Sequence, residues 1–460
     1  MTKDKISFSL LCSIIATGML SFTGVLVETA LNVAFPTLIR EFKVTTDQVQ
    51  WMTTIVLLIV AIIVPLSSYL KKRFAGKVVF CLGMLFFIAG TLVEIFSPKF
   101  ALLLLGRALQ GVGVGIGLPL MFNTILDQVP KSKIGTMMGL GTMFIATAPA
   151  LGPTFGGIVT QYLGWRYIFI IVLPFLLLAL IAGLLTLKQV TPLRRDTFNF
   201  EEYIFLALMI VGFIFGFTNL ASRQFLSFYV GGSWLLSLIF AILWFKTAKQ
   251  SKNPLLNPKL FQNKSFLAQL TAYSLIQFIA LAVSFALPNY IQLVNHESTS
   301  LTGFLILPGA LTNALIALFA GRILDLKGPR FPILTGLIIA TFFLLLTGIL
   351  GMHLTNFQVA LLYALYLIGN ALCFGPLMTS GLTELDPHDQ AQGNAAYNSI
   401  QQSAGAVGTA LASVIIALFQ QRSQFSCAYN TAAGFSTLYY VLAGIALFCF
   451  LLAVKNVRKR

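Results

Sequence analysis

The chain has 460 residues, 57% of them hydrophobic and only 10% charged, with a formal net charge of +16. Soluble domains are about 45–50% apolar with about a quarter of their residues charged. A soluble enzyme, a disordered chain and a nucleic-acid binder inferred from charge alone are therefore excluded, and the mean hydropathy of +0.88 makes lipid the solvent.

An apolar run of about 20 residues crosses the hydrocarbon core as a helix. Runs bounded by Pro, Gly and charged clusters predict fourteen spans. They cover 9–35, 51–70, 77–96, 101–126, 135–160, 166–187, 201–221, 227–247, 266–290, 301–320, 331–350, 357–379, 394–419 and 434–454. The first has a basic leader but runs on to Phe35 without a small-x-small cleavage site, so it reads as an uncleaved helix and not a signal peptide.

With the N-terminus inside, 23 of the 30 lysines and arginines fall on the cytoplasmic side, in clusters such as Lys71–Arg73, Arg194–Arg195 and Arg322–Arg330. Only Arg40, Lys43, Lys99, Arg166, Arg223 and Arg422 fall outside, and Arg107 lies within a span. This bias places both termini in the cytoplasm. Cys12, Cys81, Cys373, Cys427 and Cys449 are scattered with no CxxC, so neither a disulfide framework nor a metal site is expected.

Three stretches recur in order. Ala34-Phe35-Pro36 aligns with Ala286-Leu287-Pro288, the loop 68–77 with 321–330, and Pro119-Leu120-Met121 with Pro376-Leu377-Met378. The chain thus reads as two six-helix halves, 1–190 and 261–460, joined by a linker with two extra helices at 191–260. Parallel six-helix halves with a site between them near the midplane are a transporter plan.

An ionisable residue at the centre of a span costs about 2.5–3.5 kcal/mol on insertion scales and is retained for a function. Glu28 lies eight residues before Pro36, about 12 Å inside the outer end at 1.5 Å per residue, and Arg107 lies about 10 Å inside the same face. The two are at matching depth. Burial and a neighbouring cation act in opposite senses on a carboxyl group, so the pair is a candidate proton site. A static ion pair is the alternative. Glu94, near the outer end of its span, is expected to snorkel to water, with a secondary part in coupling left open. Candidate cavity residues are the polar groups in otherwise apolar spans: Asn32, Asn123, Gln277, Asn313, Asn370, Asn398 and Gln401. One buried acid among 41 Phe and 13 Tyr suits lipophilic cations.

Five stretches carry a family resemblance: LNVAFP (31–36), LLGRALQGVGVGIG (104–117), APALGPTFGG (148–157), GWRYIF (164–169) and GRILDLKGPR (321–330). Together they resemble the fourteen-helix drug:proton antiporters of the major facilitator superfamily. The resemblance implies the major facilitator fold, an all-α polytopic membrane protein, and no enzyme activity. It implies proton-coupled multidrug efflux from the cell membrane by alternating access. It assigns Arg107 and Gln110 to proton coupling with an acid in the first span, commonly one position before Glu28, where this chain has Val27. Pro149, Gly152, Pro153, Gly156 and Gly157 fall in the antiporter motif, expected to bend and hinge its helix. Asp325, with Arg73 and Arg330, falls in the cytoplasmic gate, although the first half has Lys72 where the second has Asp325. Expected partners are small lipophilic or cationic substrates, protons and membrane lipids, with no nucleic acid, for a monomeric protein. No cofactor is expected, since the proton gradient supplies the work and no phosphate-binding loop is present. A lipid, peptide or metabolite cargo is the alternative, and a membrane-embedded sensor or enzyme a more distant one.

Overall fold

The computed structural model describes residues 6–44, 46–190, 192–193, 198–220, 227–251, 253–421 and 426–457. Of the orienting charges, Lys3, Lys5, Arg194, Arg195, Arg223, Lys252, Arg422, Arg458, Lys459 and Arg460 lie outside them. Among the described residues the secondary structure is helical, and 14 helices are long and apolar enough to span a membrane. Lipid offers no hydrogen bonds, so each span must satisfy its backbone internally, which a helix does.

The first six spans comprise α1 (Phe8–Phe42), α2 with α3 (Thr46–Ile63 and Ser67–Arg73), α4 (Gly76–Ile95), α5 (Phe100–Gln128), α6 (Ile134–Tyr162) and α7 (Arg166–Thr186). Pro65, which has no N–H to donate, sits in a 3-10 turn that interrupts the second span between α2 and α3. The inserted pair is α8 (Phe200–Leu220) and α9 (Ser233–Gln250). The last six spans are α10 (Lys264–Leu293), α11 (Thr299–Lys327), α12 (Arg330–Leu350), α13 (Asn356–Thr383), α14 (Gln390–Gln420) and α15 (Cys427–Asn456).

The first apolar span covers Phe8–Phe35, as expected, and the helix that carries it continues past it. α1 runs to Phe42 and ends on Lys43 in the left-handed conformation. The extension is held from above: Glu41 accepts from Trp165 Nε1 at 2.6 Å and from Arg166 Nη1 at 2.8 Å. Arg166 also donates to Ser97 O, and Gly164 supplies the positive φ of +97° that turns the chain into α7.

α1 packs on α5, α6 and α7, while α10 packs on α13, α14 and α15, and α8 and α9 pair with each other. An apolar core confined to the first six spans includes Leu20, Val27, Leu31 and Phe87. A second core belongs to the last six spans but takes in Ile14, Leu118, Met121, Phe122, Ile125 and Leu126 of α5, and Ile134, Met137 and Met138 of α6. All of these come from the cytoplasmic ends of their helices. The two groups of spans are therefore joined on the cytoplasmic face, while outer residues such as Asn32, Val33, Leu151 and Ile158 stay exposed. This is an outward-open arrangement.

Candidate functional site

The buried charge cluster differs from the expected Glu28–Arg107 pair. Arg107, 1% exposed, donates from Nη1 to Gln110 Oε1 at 2.7 Å and from Nε to Met52 O at 3.2 Å. Gln110 Nε2 in turn donates to Glu94 Oε2 at 2.5 Å and to Thr91 Oγ1 at 3.1 Å. Glu94 does not snorkel: it is 0% exposed, and its Oε1 has no hydrogen-bond partner. The signal that sequence reasoning missed is a pair of small residues. Gly90, one turn before Glu94, would place a Cβ 2.5 Å from Gly106 O, and a Cβ on Gly106 would strike the Glu94 side chain. These glycines bring α4 and α5 together and cover the acid.

Glu28 is half-buried one turn before exposed Asn32, on the same face of α1. Among the described residues it has neither a hydrogen bond nor an ion pair, although Arg107 acts electrostatically on both Glu28 and Glu94. The guanidinium thus acts on both an open carboxylate and a sealed one.

The antiporter motif lies in α6, which runs unbroken through Pro149 and Pro153. Gly152 and Gly156 are the contact points with α1. A Cβ on Gly152 would strike Thr29 Oγ1, and one on Gly156 would lie 2.6 Å from Ala30 Cα. Both contacts follow directly on Glu28 in sequence, so any tilt of α6 bears on the turn that carries the carboxylate. Gly157 makes no close approach, its nearest neighbour being Val33 at 3.8 Å.

The expected cavity residues divide. Asn32 accepts from Thr53, Asn313 accepts from Asn370 at 3.4 Å, and Gln401 accepts from Tyr273 at 2.8 Å. Gln277 is half-buried on α10. Asn123 and Asn398 instead belong to a sealed contact between the two groups of spans. Asn394, unremarked in the sequence, donates to Pro119 O and to Asn123 Oδ1, both at 3.0 Å. Asn398, 0% exposed, donates to Asn394 Oδ1 at 2.7 Å.

The cytoplasmic closure has two parts. On one side Asp325 accepts from Gly135 N at 2.8 Å, Thr136 N at 2.6 Å and Thr136 Oγ1 at 2.5 Å, capping the N-terminus of α6 from the last turn of α11. Helix N-termini leave N–H groups unsatisfied and carry partial positive charge, which a carboxylate complements. The helices meet closely there because a Cβ on Gly139 would lie 2.6 Å from Ala317 O. Arg73 is exposed and Arg330 half-buried, and among the described residues neither forms an ion pair. An ion pair on this face joins Lys71 to Asp127, at 2.8 Å.

On the other side, where Lys72 replaces an acid, the backbone strap Pro254–Asn257 takes over. Ser68 donates to Leu255 O, Glu202 Oε1 accepts from Leu255 N, and Gln392 accepts from Asn257 N while donating to Pro254 O. The strap is gripped by α3, α8 and α14 at once.

These features define a polytopic transporter closed on its cytoplasmic face. Comparison with known proteins narrows the class. The model of the Major Facilitator Superfamily matches residues 17–409. The chain is 33% identical over 401 residues to the lincomycin resistance protein LmrB of Bacillus subtilis (strain 168), covering 87% of this chain and 84% of that one. It is 28% identical over 397 residues to a multidrug resistance protein B homolog of Mycobacterium tuberculosis (strain H37Rv), covering 84% and 73%. The crystal structure of the human organic anion transporter MFSD10 (TETRAN) shares the fold, with a TM-score of 0.67 at 16% identity over 96% of this chain and 99% of that one. The chain belongs to the major facilitator superfamily. It is a multi-pass plasma-membrane transporter.

Proposed function

We propose that this transporter is a proton-coupled antiporter exporting lipophilic, often cationic drugs by alternating access. The observation that carries the reading is the pair of carboxylates within the electrostatic reach of Arg107, with Glu94 tied to it through Gln110 and Glu28 unpaired in an outward-open state. In that state outside protons reach Glu28; protonation removes the charge that holds a cation, and the cation leaves. After the outer side closes, loss of the proton to the cytoplasm restores the site. The chain Glu94–Gln110–Arg107 keeps the guanidinium in place throughout. A proton moving with the membrane potential supplies about 2.3 kcal/mol per 100 mV. The names of the relatives, which speak of lincomycin and multidrug resistance, support a drug cargo.

The test is uptake of a fluorescent lipophilic cation into proteoliposomes under an imposed pH gradient. Glu28→Gln, which mimics the protonated carboxyl, should abolish gradient-driven uptake and weaken binding of the cation itself. Uptake that persists undiminished in the variant refutes the role of Glu28, and uptake indifferent to the gradient refutes antiport.

A further inference from the structure

The inserted helices enclose a cleft that the transport reading does not use. α8 packs on α14 and α2, whereas α9 packs on α8. Between α9 and α14 remains an apolar space of about 600 Å³, walled by Phe213, Phe217, Trp234, Trp244, Ile400 and Ser403. Hydroxyls along it are turned to backbone: Ser237 donates to Met209 O at 2.7 Å and Ser403 to Ser399 O at 3.1 Å. Ser399 Oγ is buried without a partner. The walls therefore suit a hydrocarbon occupant. From Trp234 to Trp244 the cleft side of α9 rises about 15 Å, the depth of one leaflet of a hydrocarbon core about 30 Å thick.

Basic side chains gather at its cytoplasmic mouth, where the neighbouring acid Glu202, beside Trp244, is taken up by the Leu255 N–H. Ala241 belongs both to the cleft and to an adjoining groove that continues to Lys246 and Lys249, both exposed. Across the mouth Phe261 lines the cleft, two residues from exposed Lys259. These lysines lie on the cytoplasmic face, where anionic headgroups attract basic side chains at the membrane surface.

We propose that the cleft between α9 and α14 is a binding site for an anionic glycerophospholipid of the inner leaflet. An acyl chain lies between Trp234 and Trp244, and the phosphate rests on Lys246 and Lys249. The inserted pair thereby seats the transporter on a lipid of defined charge.

Tryptophan quenching tests this directly. A variant retaining only Trp244, with Trp51, Trp165 and Trp234 changed to Phe, is placed in phosphatidylcholine nanodiscs. These carry a few mole per cent of acyl-brominated phosphatidylglycerol or, in parallel, acyl-brominated phosphatidylcholine. Preferential quenching by the anionic lipid, on the order of tenfold in apparent association, is expected. It should fall to parity in Lys246→Gln/Lys249→Gln, which leaves the cleft intact. Ala241→Phe, which fills the cleft, should remove quenching by both lipids while elution as a monodisperse species persists. Equal quenching by the two headgroups, or a preference that survives loss of both lysines, overturns the proposal. So does displacement of the quencher by a lipophilic cation at equal headgroup preference, which would make the cleft a cargo site.

Discussion

Asp325 offers the sharpest test of the gate. Its carboxylate accepts two backbone N–H bonds and a hydroxyl bond from the first turn of α6, and these partners stand on opposite sides of the interface that must part for inward opening. Hydrogen bonds to a charged group contribute about 1.5–3 kcal/mol each, net of water. Water reaches the same groups once the gate opens, so a total near 3 kcal/mol favouring the outward-open state is a reasonable magnitude. That corresponds to about two powers of ten in the ratio of states. The assay uses Met138→Cys, a position 2% exposed at this interface, in a chain whose five native cysteines are replaced. An impermeant maleimide is applied to inside-out vesicles. Asp325→Ala should raise the labelling rate about a hundredfold, and Asp325→Asn, which keeps one acceptor oxygen, about tenfold. Labelling that is unchanged in both variants, in protein that still transports, refutes the argument that this cap holds the cytoplasmic face shut.

Other expectations follow from the same geometry. Gly139→Leu puts a side chain where Ala317 O lies 2.6 Å from a Cβ; the maleimide assay should again report a more open cytoplasmic face, and a slower rate would contradict it. Gln110→Leu removes the link between Arg107 and Glu94 and leaves buried polar atoms without partners, a loss of about 2–4 kcal/mol readable by unfolding in detergent. A stability equal to wild type would show that water replaces the amide. Arg166→Ala should change stability by no more than about 1 kcal/mol, because both partners of its ion pair with Glu41 are 37% exposed; a larger loss would place the weight on the cation–π contact with Trp165 instead.

The spans were legible because lipid demands long uninterrupted apolar runs, and no soluble packing blurs that pattern. Asp325 was legible through its motif. Glu94 was not, because position along a helix gives depth but not which neighbour covers the side chain. The covering depends on Gly90 and Gly106 meeting across two helices. Asn123 and Asn398 were assigned to a cavity for the same reason: polar residues in an apolar span face either water or each other, and only the approach of α14 to α5 decides. The continuation of α1 beyond its apolar span was not legible, because Glu41 is tied down by residues more than a hundred positions away. The strap at Pro254–Asn257 carries no motif, and its partners lie 187, 53 and 135 residues off.

That strap has a consequence for the speed of the cycle. Its bonds are backbone groups held by Ser68, Glu202 and Gln392 at the cytoplasmic edge of the membrane, where water waits on the other side of the closed interface. Each bond given up on opening can be remade to solvent within the same movement, so it costs only its net contribution, about 0.5–3 kcal/mol. A fastening placed at the midplane would have no such replacement and would have to break in hydrocarbon, at several kcal/mol per orphaned group. Fastening the halves at the water line lets the closed state be specific without making it slow to leave.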